Sequence, residues 1–150
     1  MCLIKYSLYI LTSVPTVHTL TLDNNQFTDA TFSKDFFLSL PLLRVLSLDD
    51  NRLTRVPPSL CSLQQLSDLS LRNNAIDLIP QALLSRPLTR LALAGNRIYG
   101  VAADAACDPP AWLRLLTLDL SNNNLGAEDA AQEDVLTGNA ALNMLIGALR

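Results

Sequence analysis

Five short stretches of the chain repeat one order of apolar and polar positions. They are VHTLTLDNNQF from Val17, LRVLSLDDNRL from Leu43, LSDLSLRNNAI from Leu66, LTRLALAGNRI from Leu88 and LLTLDLSNNNL from Leu115. Each reads LxxLxLxxNxL, with Val, Ile or Phe in place of some leucines, and the starts lie 26, 23, 22 and 27 residues apart. Self-similarity at such a period marks stacked coils, because one unit of this size cannot bury its apolar face alone. The LxL centre alternates, which predicts a strand: Leu46 and Leu48 face inward and Ser47 faces out. Stacking lays these strands side by side and parallel, about 4.8 Å apart. The chain then turns, and the polar backbone of that turn lies inside the stack. An uncharged side chain that both donates and accepts satisfies it. Asn25, Asn51, Asn74, Asn96 and Asn123 fall at that position and are expected to form a ladder joining neighbouring turns.

The second half of each unit returns along the outer side. Ser33 is placed to cap a short helix that carries Phe36 and Phe37 inward. The segments after Leu53 and Ile76 contain Pro57, Pro58 and Pro80, which favour a loose or 3₁₀ path. Three residues before each template lies another inward position. Val14, Leu40, Leu63 and Trp112 fill it, Trp112 as a core plug, whereas Ser85 does not. Ala127–Leu136 reads as a helix whose residues Glu128, Asp129, Glu133 and Asp134 form a solvated face.

The motif resembles the leucine-rich-repeat family over about residues 17–141. LTRVPPSLCSLQQL and IDLIPQALLSRPL resemble the intracellular type of repeat, and the 26- and 27-residue units are nearer the helical-backed type, so the chain mixes repeats of 22–27 residues. The fold expected is a right-handed α/β solenoid, a horseshoe segment. A parallel β-sheet lines its concave face, and short helices, 3₁₀ turns or loops form the convex face. The resemblance implies a non-catalytic protein–protein interaction module: a scaffold, adaptor or regulatory subunit. The alternative it implies is a ligand-sensing or targeting part of a larger multidomain receptor or regulated enzyme.

The repeat domain is expected to span residues 17–150, with coils starting at 17, 43, 66, 88 and 115 and an incomplete sixth from Leu142. Residues 1–16 are expected to be a degenerate N-terminal coil or cap. Leu11–Pro15 echoes Leu53–Pro57, but Tyr9 stands where Asn belongs and the span is too short for a full unit. Cys2–Leu11 is apolar enough to suggest a secretory leader, yet it lacks a basic start and Lys5 interrupts it. In the sixth template Gly147 replaces Leu and Arg150 replaces Asn. With no polar cap evident, the expectation is a piece of a longer protein, or a chain that leans on a partner.

Composition narrows the function. The net charge is −3 and the eleven Lys and Arg are scattered, so nucleic acid is not an expected partner. No apolar run approaches the ~20 residues that a membrane helix needs. Cys2, Cys61 and Cys107 are far apart and form no CxxC pair, which argues against zinc and for a reducing, cytoplasmic setting; secretion is the alternative. The lack of any Asn-x-Ser/Thr acceptor points the same way. His18 is the single histidine, too few for a triad or a His-bearing metal site, and the five glycines are isolated. No catalytic residue, cofactor or metal is therefore expected.

What remains is the open sheet face. Its columns hold Thr19, Val45, Asp68, Arg90 and Thr117; then Thr21, Ser47, Ser70, Ala92 and Asp119; then Asp23, Asp49, Arg72, Ala94 and Ser121. The candidate partner-contacting residues are Thr21, Asp23, Ser47, Asp49, Asp68, Ser70, Arg72, Arg90 and Asp119. Asp23 and Asp49 share a column, which reads as an acidic patch partly balanced by Arg72 rather than an acid/base pair. Asp68 beside Arg90 reads as a surface ion pair. Five strands give a strip of roughly 300 Å², against about 800 Å² per partner in a stable interface. Either the turn residues Asn24, Asp50, Asn73 and Asn122 contribute, or further repeats extend the face, or the binding is weak.

Overall fold

The computed structural model describes residues 16–32, 35–84, 86–102 and 115–125, and the backbone of 135–137. Five three-residue strands form one parallel sheet: β1 (Thr19–Thr21), β2 (Val45–Ser47), β3 (Asp68–Ser70), β5 (Arg90–Ala92) and β7 (Thr117–Asp119). Each comes from one coil, so the coils stack in sequence order. The register is continuous, with Leu20 opposite Leu46, Leu46 opposite Leu69, Leu69 opposite Leu91, and Leu91 opposite Leu118. The molecule is the expected right-handed α/β solenoid with its parallel sheet on the concave side.

The sheet's hydrogen bonding runs past the strands. Leu22 N–H donates to Ser47 C=O at 2.8 Å and Asn24 N–H to Asp49 C=O at 2.9 Å. The same two bonds recur from Leu48 and Asp50, from Leu71 and Asn73, and from Leu93 and Gly95, each to the coil that follows. Each coil thus lays about six residues against its neighbour. Inside, Leu46, Leu48, Leu53, Leu69, Leu71, Ile76, Leu91, Leu93 and Ile98 are all nearly or fully buried in one continuous core.

The outer side differs from coil to coil. In the first coil a 3₁₀ turn (Phe37–Ser39) follows Phe36, and all four phenylalanines of the chain pack there, with ring centroids 4.9–5.4 Å apart. Phe36 and Phe37 are buried as expected. The residue preceding the turn is Phe36, with no side-chain cap bond, and the cap expected at Ser33 lies outside the described residues. In the second coil Pro58–Ser62 forms the expected 3₁₀ turn, entered through Pro57, whose fixed φ suits it. The third coil departs from expectation. Leu78–Pro80 is a strand (β4), followed by one helical turn, α1 (Gln81–Leu84). Pro80 is tolerated because it closes the strand, where one missing N–H costs little.

A second sheet runs along this outer side. β4 pairs in parallel with β6 (Gly100–Ala102), and β6 pairs antiparallel with β8 (Val135–Thr137). Leu136 therefore lies in a strand rather than in the helix expected over Ala127–Leu136. The deciding factor is tertiary: a β-branched residue at each end of the triplet suits a strand, and β6 offers an open edge to pair with. Leu40 and Leu63 fill their inward positions. Val14, Ser85, Trp112, the N-terminal cap, the acidic residues 128–134 and the sixth template lie outside the described residues.

Candidate functional site

Four of the five asparagines each join two coils. Asn51 Nδ2 donates to Leu22 O of the first coil and to Leu48 O and Asp49 O of its own, while its Oδ1 accepts Phe27 N–H at 3.1 Å. Asn74 bonds Leu48 O, Leu71 O and Arg72 O and accepts Leu53 N–H. Asn96 reaches Leu71 O and Leu93 O and accepts Ile76 N–H. Asn123 reaches Leu93 O and Leu120 O and accepts Ile98 N–H. Among the described residues, Asn25 bonds the Leu22 and Asp23 carbonyls of its own turn. These bonds rigidify the edge on which the concave face is built.

The residue before each asparagine is held in a left-handed conformation: Asn24 (φ 56°), Asp50 (φ 55°), Asn73 (φ 51°), Gly95 (φ 70°) and Asn122 (φ 56°). Asn, Asp and Gly are the residues that tolerate this region. That signal was present in the sequence, since this column holds nothing else. Gly95 is further constrained, because a Cβ there would lie 2.4 Å from Asn73 Oδ1.

Outward, the three columns lie side by side in the order expected. Asp23 and Asp49 each use Oδ1 to accept the backbone N–H of the same column on the next coil, Asp49 N at 2.8 Å and Arg72 N at 2.7 Å. Asp49 Oδ1 also accepts Ser70 Oγ at 2.6 Å. These carboxylates are thus tied into the sheet. Arg72 does not turn back toward them, as the sequence suggested. It reaches two coils forward to Asp119 Oδ2 at 2.9 Å. The small side chains of Ala92 and Ala94 on the intervening coil leave that path open. Arg90 Nε lies 3.6 Å from Asp68 Oδ1, the expected surface pair.

Between these groups the sheet is hollowed by about 250 Å³. Val45, Ser47, Ser70 and Ala92 form the floor, and Asp68, Arg72 and Arg90 the rim. Thr21 lies on the first coil beyond the hollow and is exposed. Val45 is also exposed, the largest apolar side chain in the three columns.

Two carboxyls are perturbed. Asp119 lies below the usual carboxylate range, chiefly through the Ser121 hydroxyl and then the Ser121 N–H, with burial opposing and Arg72 assisting. Asp29, on the flank, is also lowered. Burial pushes it up, but bonds from the Thr54 hydroxyl and the Thr54 and Arg55 N–H groups, with the Arg55 charge, outweigh that. Among the described residues no group of three His, Cys, Asp or Glu could hold a metal, and no helix is long and apolar enough to cross a membrane. His18 is exposed.

Comparison with known proteins agrees with this geometry. A family model described as Leucine rich repeat matches residues 15–76 and 41–98, and a second of the same description matches 114–131. Human Podocan-like protein 1 is 34% identical over 116 residues, covering 74% of this chain and 22% of that protein. Mouse Leucine-rich repeat and calponin homology domain-containing protein 1 is 38% identical, over 53% of this chain and 11% of its own length. Mouse Podocan is 32% identical, over 71% of this chain and 17% of its own length. The chain therefore spans about a fifth or less of each of these relatives.

Proposed function

Because the chain belongs to the leucine-rich-repeat family, we propose that it is a non-catalytic protein–protein interaction module, a scaffold, adaptor or regulatory unit. On this reading it binds a protein partner through the concave sheet face and the turns beside it. The observation that carries the proposal is the open face itself. Five in-register strands present columns of small polar and charged side chains, and Thr21, Val45, Arg72, Arg90 and Thr117 on them are exposed. A rigid, hydrogen-bonded platform limits the ordering cost of binding. Six residues per coil and five coils give about 480 Å², still below the ~800 Å² of a standard interface. That strip already includes the turn residues Asn24, Asp50, Asn73 and Asn122, so the rest of a standard contact would come from beyond the sheet.

No cofactor, nucleic acid or membrane insertion is part of this reading. The comparisons do not support the cytoplasmic address expected from the cysteines, and secretion is kept as the alternative. The greater length of the relatives favours, as second reading, a targeting or ligand-sensing segment of a larger receptor or regulated enzyme. The domain division proposed is residues 1–16 as a cap and 17–150 as the repeat domain.

The test is steric. Ser47→Trp and Ala92→Trp together fill the hollow without touching the core or the asparagines. Proteins that co-purify with the native chain should be lost from this variant, as read by quantitative mass spectrometry, while its unfolding transition is unchanged. Retention of every partner at native levels would place the binding surface elsewhere.

A further inference from the structure

Resting on the reading of the concave face as the contact surface, we propose that the hollow over the second to fourth coils is a socket for one carboxylate side chain, a glutamate on an extended segment of the partner. The rim is rich in donors. Arg90 has a side chain 71% exposed, and its one ionic contact among the described residues is the 3.6 Å approach of Nε to Asp68, which engages neither Nη. Arg72 commits Nη2 to Asp119 and keeps its other donors. On the acceptor side, Asp68 already receives Ser67 Oγ at 2.6 Å through Oδ2. The charges lining the hollow (Asp68, Arg72 and Arg90) sum to +1, on a chain whose net charge is −3. A planar guanidinium with free parallel donors matches a carboxylate in a two-bond fork. The exposed Val45 and the half-buried Ala92 on the floor suit the aliphatic stem that a glutamate has and an aspartate mostly lacks.

The surroundings limit the occupant to a single negative charge. Asp23, Asp49, Asp50 and Asp119 stand around the hollow on the same face and its turn. A polyanion lying across the sheet would meet these carboxylates on the first, second and fifth coils, whereas one carboxylate meets the two arginines of the third and fourth. The geometry thus favours an acidic peptide over RNA.

The probe is a phage-displayed library of random linear heptapeptides selected on the immobilised full chain. Selected sequences should share a glutamate next to an aliphatic residue. By fluorescence anisotropy, a synthetic peptide of that consensus should bind Arg90→Gln about tenfold or more weakly than the native chain. Arg90→Lys should recover part of the loss. Peptide Glu→Gln should lose as much as Arg90→Gln, with no further loss when the two are combined. Absence of selected peptides, absence of glutamate enrichment, or affinity within twofold on Arg90→Gln overturns the socket. If binding then still vanishes in the Ser47→Trp, Ala92→Trp variant, the concave face stands as the contact surface without it. If binding survives in that variant, both readings fall. A uridine oligonucleotide that binds as tightly as the peptide at physiological salt also overturns the proposal.

Discussion

The two sides of the solenoid solve different problems. On the concave side every coil must offer its backbone to two neighbours, so strand length, register, turn conformation and the asparagine recur five times almost unchanged. On the convex side a coil needs only to deliver apolar side chains inward. Here one coil uses a phenylalanine cluster, the next a proline-led 3₁₀ turn, and the next a strand and a helical turn. Backbone hydrogen bonding is directional and admits one geometry, whereas burial of apolar area has no direction. The constrained side also carries the candidate binding face, so partner contact is built on the least adjustable part of the molecule.

Mutations that separate direction from volume sharpen this contrast. The largest effect is expected for Phe37→Ala, which leaves a void among four rings and should cost about 3–5 kcal/mol in urea denaturation. Phe37→Leu should cost less than about 1.5 kcal/mol, because any apolar group of similar size serves on that side. Asn51→Ala should cost about 3 kcal/mol, since it strands Phe27 N–H and the Leu22 and Leu48 carbonyls. Gly95→Ala should cost about 1–2 kcal/mol from the left-handed backbone and the crowding against Asn73.

The smallest expected effect is at Asp29, which ties the first coil's flank to Thr54 and Arg55 and is largely exposed. Asp29→Asn should cost about 0.5 kcal/mol at neutral pH. Because the folded carboxyl is held below its ordinary value, that contribution is present above the unfolded pKa and is lost as pH falls through the folded one. Native and variant unfolding midpoints should therefore converge in acid; a gap that widens as pH falls would contradict the bonding described.

The same contrast explains what the sequence disclosed. The five strands, their order and the inward leucines were legible because backbone periodicity leaves a strict mark, as at Leu46, Ser47 and Leu48. The left-handed column is legible too, in Asn24, Asp50, Asn73, Gly95 and Asn122. The convex paths were not: Leu78–Pro80 carries a proline that suggested a loose turn, and Leu136 sat in a helix-like pattern until β6 offered an edge. On the candidate site, the columns followed from the repeat, but the partner of Arg72 did not. Its choice of Asp119 depends on the small residues of the coil between them, and pairwise reading of one column does not register a gap.

The asparagine bonds also give the stack a polarity. Asn51 fastens the first coil, Asn74 the second, Asn96 the third and Asn123 the fourth, so each coil is latched by the one after it. Trimming the first coil removes a latched unit and leaves every remaining latch closed. Trimming the fifth opens the fourth. A shortened version of the platform is therefore best made by cutting from the earlier end.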